Sequence, residues 1–150
     1  QLTLDFLLPQ VQPGEGERGD RLLFPGVAWA LQKGGALPSE AALAPALQAL
    51  AQETERPAAG LLVWDFRAQS LETALWTAQD AALTHPRRCA AGGAAAAAWQ
   101  ALRSREGRQT WPLRQPGGSL EVTTVTQGRQ LKRLSVAGPV DLGPVYTVEF

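Results

Sequence analysis

The chain has 150 residues, 45% of them hydrophobic, with 14 basic and 14 acidic side chains and a formal net charge of zero. A chain of that size and apolar content buries one core without help from metals or disulfides, and its single Cys excludes an internal disulfide. No apolar run approaches the roughly 20 residues of a membrane-spanning helix, and the lone His and lone Cys cannot make a zinc site by themselves.

In chain order, Leu2, Leu4 and Phe6 alternate with Thr3 and Asp5, the period of a strand with one buried face. Residues 12–20, with Pro13 and three Gly, read as a loop. The stretch "FPGVAWALQKGG" reads as a short helix with Pro25 in its first turn and Gly34 as its stop. Leu43, Leu47 and Leu50 then share a helical face behind Ser39 as N-cap, and Pro45 either kinks that helix or starts it. "GLLVWDF" is a central strand buried on both faces. "SLETALWTA" is a strand or a helix, and "DAALTHP" a further short strand. A small-residue helix follows from Gly93 to about Arg105, with Ala95, Trp99 and Leu102 as its stripe. "RQTWPLRQPGG" reads as a loop, "SLEVTTV" as a strand, "TQGRQLKRL" as ambiguous and "VYTVEF" as a closing strand.

This order implies an α/β protein of mixed α+β type, a central mixed sheet flanked by about three helices, with residues 1–150 forming a single domain. Met, Ile and Asn are absent while Ala, Leu, Arg, Gly and Gln abound, which reads as the coding bias of a GC-rich bacterial genome. Without Met the chain does not open at an initiator residue, and a signal peptide removed from before Gln1 is one expectation.

The chemistry concentrates in "HPRRCAAGGAAAAAWQALRSREG", His85 to Gly107. The unpaired amides of a helix's first turn, Ala90, Ala91, Gly92, Gly93 and Ala94, offer donors to a phosphate, and Arg87 and Arg88 add charge-assisted bonds. The competing reading is that these residues are small because a sheet lies close against them. Charge supports an anionic partner: residues 85–133 hold nine bases and two acids, against ten acids and five bases before them. That segment serves a phosphorylated ligand or nucleic acid, or else Arg merely solvates loops and helix ends.

The same stretch resembles the central motif of the GNAT acyltransferase superfamily, in which a Gly-rich turn opens the helix that cradles the coenzyme A pyrophosphate. Set on that motif, Cys89 takes the family's Arg position, Ala90 its first Gly, Gly92 its second and Ala94 its third. The resemblance implies a GNAT-like fold, acetyl-CoA as cofactor and N-acetyltransferase activity on a small-molecule or protein amine, or a degenerate relative without activity. Leu134 stands where the family carries a catalytic Tyr, and the only Tyr, Tyr146, lies on the final strand. Glu72, Asp80 and His85 are the candidate bases, and spacing selects none of them, so the catalytic residues stay unassigned.

Cys89 otherwise reads as a small buried filler and His85 as a polar residue at a strand end. Trp29, Trp64, Trp76 and Trp99 read as core, with Trp111 in the basic loop the one whose exposure would signal a stacking surface. Two other functions stand beside the acyltransferase: a non-enzymatic secreted, pilin-like assembly module, and a nucleic-acid-binding accessory domain using residues 85–133. The compartment follows the choice, cytoplasmic for the acyltransferase, secreted or periplasmic for a module that has lost a leader. Oligomeric state is not legible.

Overall fold

The computed structural model describes residues 2–6, 8–12, 19–104 and 106–138. Along them run β1 (Leu2–Asp5), β2 (Gln10–Gln12), β3 (Arg21–Leu23), β4 (Ala28–Lys33), α1 (Glu40–Thr54), β5 (Ala58–Asp65), β6 (Ser70–Thr77), β7 (Ala82–Thr84), α2 (Ala90–Ala101), β8 (Gly107–Gln115), β9 (Gly118–Gln127) and β10 (Gln130–Gly138). All the strands join one sheet in the order β1-β10-β9-β8-β6-β5-β4-β3-β2, with β7 also on β6. Pairing is antiparallel except where a helix makes the connection. α1 carries the chain from β4 to its parallel neighbour β5, and β6 meets β8 through the single parallel bridge Ser70 to Arg114.

The two helices use opposite faces of this sheet. α1 packs on β4, β5, β6 and β7, while α2 touches β4, β5, β6, β8, β9 and β10. A helix reached by strands from both ends of the strand order must be enclosed by a sheet that curls around it. β5 serves both sides: Leu62 and Trp64 face the α2 core, Leu61 and Val63 the α1 core with Leu43, Leu47 and Leu50. This alternation within a continuous apolar run is what a strand covered on both faces requires.

The mixed α+β class and the mixed sheet hold, but the described residues contain two helices rather than about three, and no GNAT-like arrangement is confirmed. The expected helix over "FPGVAWALQKGG" is instead a hairpin. Pro25 and Gly26 occupy its turn, the Phe24 amide donates to the Val27 carbonyl at 2.9 Å, and residues 28–33 pair with both β3 and β5. Pro-Gly here acts as a turn and not as a helix start. α1 begins at Glu40 behind Ser39 and runs through Pro45.

"RQTWPLRQ" is strand β8 and not a loop. Pro112 is tolerated because β8 meets β6 at one bridge only, leaving most of that edge without a ladder to interrupt. Trp111 is therefore core, its indole N–H donating to Thr124 Oγ1 at 2.9 Å. The expected closing strand "VYTVEF" lies outside the described residues. Among the described residues no helix is long and apolar enough to cross a membrane.

Close approach between β4 and β5 depends on Gly60, where a Cβ would stand 2.1 Å from Trp29 Cζ3 and 2.9 Å from the Ala74 carbonyl oxygen. Gly60→Ala is expected to cost about 1–3 kcal/mol through overpacking of a buried indole, measured as a lowered urea midpoint at unchanged m-value. An unaltered midpoint would show that Trp29 moves freely.

Candidate active site

α2 has the composition AAGGAAAAAWQA, and every residue but Gln100 is buried. An α-helix with ordinary side chains is about 10–12 Å across, whereas one built of Ala and Gly is much thinner and fits inside a curled sheet. At Gly92 a Cβ would meet Leu62 Cδ2 and Thr73 Oγ1 at 3.2 Å and Cys89 Sγ at 3.4 Å; at Gly93 it would meet Leu113 Cδ1 at 3.0 Å.

Cys89 caps this helix. Its backbone is extended, with φ −123° and ψ 108°, and its sulfur accepts the Gly92 amide at 3.3 Å. The Gln115 carboxamide accepts the Cys89 N–H at 2.6 Å and donates to the Cys89 carbonyl at 3.2 Å. The turn after Gln115 holds the preceding residues too, the Gly117 amide donating to the Arg87 carbonyl at 2.7 Å and Arg87 Nη2 to the Pro116 carbonyl at 3.0 Å. Gly117 permits this contact, since a Cβ there would lie 2.9 Å from Arg87 Cβ. Thr73 Oγ1, on the strand facing Gly92, is buried without a hydrogen-bond partner among the described residues.

Among the described residues, Cys89 is the buried ionisable side chain, at 1% exposure. Two effects compete at its thiol. Burial raises its pKa from 9.0 to about 12, outweighing the Gly92 and Ala91 amides that favour the thiolate. The resting side chain is therefore a neutral thiol with donors already aimed at the anion it can become.

The residues expected to cradle a pyrophosphate separate in the structure. Ala90, Ala91, Gly92, Gly93 and Ala94 are buried along α2, and the Gly92 and Gly93 amides are bonded to Cys89 Sγ and O. Arg87 is exposed and tied to the β8–β9 turn, and Arg88 is half-buried beside Gly118. Of the candidate bases, Glu72, Asp80 and His85 are all exposed, and His85 Nδ1 sits 3.9 Å from Glu40 Oε1. Leu134 is buried on β10, and Tyr146 lies outside the described residues. Sequence reasoning passed over Gln115 because the strand that carries it was taken for a loop, and it read Cys89 as a buried filler, which it is, without the partner that strand supplies.

A cleft of about 480 Å³ runs along α1 beside Arg21, Leu43, Leu47 and Glu53, and two more lie at the other end of α2. One of about 490 Å³ is lined by Asp20, Leu31, Lys33 and Trp99, and one of about 390 Å³ by Trp64, Phe66, Arg67, Trp99 and Gln100. Between them Trp99 carries Arg103 at 4.0 Å and Lys33 at 5.2 Å from its ring centre and donates its N–H to Asp20 Oδ2 at 2.7 Å. No group of three or more His, Cys, Asp or Glu among the described residues is placed to hold a metal.

The model of the histidine racemase CntK N-terminal domain family matches residues 36–146, most of the chain. Among solved structures, a predicted epimerase from Pseudomonas aeruginosa is similar, at 19% identity and a TM-score of 0.44, over 69% of this chain and 34% of that one. No curated protein matches. The family match overturns the GNAT resemblance, and with it the acyl-CoA-dependent N-acyltransferase function and acetyl-CoA as cofactor. The match lends no support to the secreted pilin-like module or to the nucleic-acid-binding accessory domain.

The raised thiol pKa has a consequence for stability. Between 9.0 and about 12 the folded chain binds this proton more tightly than the unfolded chain, so the contribution is complete below the lower value and lost as pH rises through the window. The difference in urea midpoint between wild type and Cys89→Ala is expected to shift against wild type from about pH 8 to about pH 10.5. A difference independent of pH would mean that the thiol titrates as if in water.

Proposed function

The chain belongs to the histidine racemase CntK N-terminal domain family, and we propose that it forms part of an amino-acid racemase or epimerase in which Cys89 carries the proton exchanged at the substrate's α-carbon. The observation that carries this reading is the family match over residues 36–146, which includes α2 and the thiol at its head.

Inverting a stereocentre by proton transfer takes a proton from one face of the carbon and returns one to the other. Two groups must therefore flank the substrate, one a base and one an acid, and their roles exchange when the reaction runs backwards. Cys89 meets the demands on one of them. Its neutral thiol is the acid form, and on giving up the proton its sulfur is left against the Gly92 and Ala91 amides and the positive end of the α2 dipole. Burial excludes water, which would otherwise compete for the proton. No second buried ionisable side chain accompanies Cys89 among the described residues, so on this reading the opposite-face group comes from outside them. Histidine, named by the family, is the first substrate to test, and we carry residues 1–150 as one domain of that enzyme.

In D2O the full-length protein is expected to place deuterium at the α-carbon of histidine or another amino acid, in both enantiomers, as read by NMR and chiral chromatography. Cys89→Ala is expected to slow this by about 10²–10⁴-fold, the usual size of an acid–base contribution. Undiminished exchange in Cys89→Ala would remove the thiol from the mechanism, and no exchange by wild type with any proteinogenic amino acid would remove the racemase reading itself.

A further inference from the structure

We infer that Gln115 is a positioning residue for Cys89: its carboxamide holds both backbone polar groups of the cysteine and so sets where the thiol points. This rests on the racemase reading above, to which it adds a residue outside α2.

Cys89 is where extended chain becomes helix, and such a junction residue is the least constrained by either element. Its N–H precedes the helical ladder, and its carbonyl is the first acceptor of it, taking the Gly93 amide at 2.9 Å. Gln115 supplies what both elements leave undone, accepting from that N–H at 2.6 Å and donating to that carbonyl at 3.2 Å. With both groups held, the Cα–Cβ direction is fixed, and the Gly92 amide at 3.3 Å from Sγ holds the remaining side-chain torsion.

The clamp is itself rigid. Gln115 ends β8 opposite Gly118 of β9, is 9% exposed, and lies against Gly93, where a Cβ would come within 3.5 Å of its Nε2. The next two residues grip Arg87, so the turn fixes the approach to Cys89 as well as Cys89 itself. The neutrality of the carboxamide matters. Glu has the same length and accepts from the amide equally well, but an ionised carboxylate cannot donate to the carbonyl and would place negative charge beside a sulfur that must itself become negative.

Gln115→Glu and Gln115→Leu are to be compared with wild type in the full-length protein. Both are expected to lower kcat for α-proton exchange at least tenfold while KM stays within twofold, because the clamp orients a reacting group and touches no substrate. A folded Gln115→Glu variant with wild-type kcat would overturn the inference, reducing Gln115 to a structural cap. If wild type exchanges no α-proton, the racemase reading fails alone, and the clamp is then read by alkylation of Cys89 with iodoacetamide. Release of the helix head is expected to speed that reaction at least tenfold in Gln115→Leu, which adds no charge beside the thiolate, and an unchanged rate overturns the clamp. Should Gln115→Leu not fold, Gln115→Glu carries the kcat measurement and the neutral Gln115→Met the alkylation.

Discussion

The enclosure of α2 by the sheet is the constraint from which the rest of the structure follows. Six strands touch one helix, and strands brought that close leave room for little beyond a backbone and methyl groups. An all-Ala and Gly segment has favourable helix formers in Ala but loses backbone entropy at Gly92 and Gly93. The structure shows what Gly spares there: Leu62, Thr73 and Leu113 stand within 3.0–3.2 Å of where a Cβ would be and would have to give way to it. Apolar surface all round, which would be a liability on an exposed helix, is what a fully enclosed one needs.

Enclosure also sets the electrostatics of the helix head. In water, a cysteine capping a helix would be expected below its ordinary pKa, since the first-turn amides and the dipole both favour the thiolate. At Cys89 the opposite holds, because the same walls that require small residues exclude solvent from the sulfur. The donors remain in place while the charge they would stabilise is withheld, which is the state of an acid held ready.

Much of this was legible in the sequence where one physical signal dominated. The β5 run and the Leu43, Leu47 and Leu50 stripe announced themselves and are buried as expected, while the small-residue helix was legible but runs over Ala90–Ala101 rather than from Gly93 to about Arg105 and is buried all round rather than along one stripe. The misreadings share a cause: proline outweighed alternation. In β8, Trp111, Leu113 and Gln115 point inward between Thr110, Pro112 and Arg114, a period-two pattern that one Pro concealed. In β3–β4, Pro25 was placed in a helix when it belonged to a turn. The partner of Cys89 was hidden by the first of these errors, since no local pattern links residue 89 to residue 115 until β8 is seen as a strand. Composition alone does not say whether a small-residue turn faces a ligand or a wall, and only the structure shows Ala90 to Ala94 buried.

A smooth helix in a tube carries its own difficulty. Large side chains interlock and resist sliding, and the methyl groups of Ala94 to Ala98 offer little of that resistance. The position of α2 along its axis must therefore be fixed at its ends, and it is. At the head, Gln115 bonds both polar groups of Cys89. At the tail, Trp99 and Arg103 both reach Asp20, and Gln100 accepts from the Trp64 indole at 3.3 Å. The tail anchors sit on different strands and loops from the head anchor, so a shift of the helix would break contacts at both ends together. A rise of ten residues from Cys89 to Trp99, at about 1.5 Å each, separates these two sets of bonds by about 15 Å, and the thiol's place is set by both.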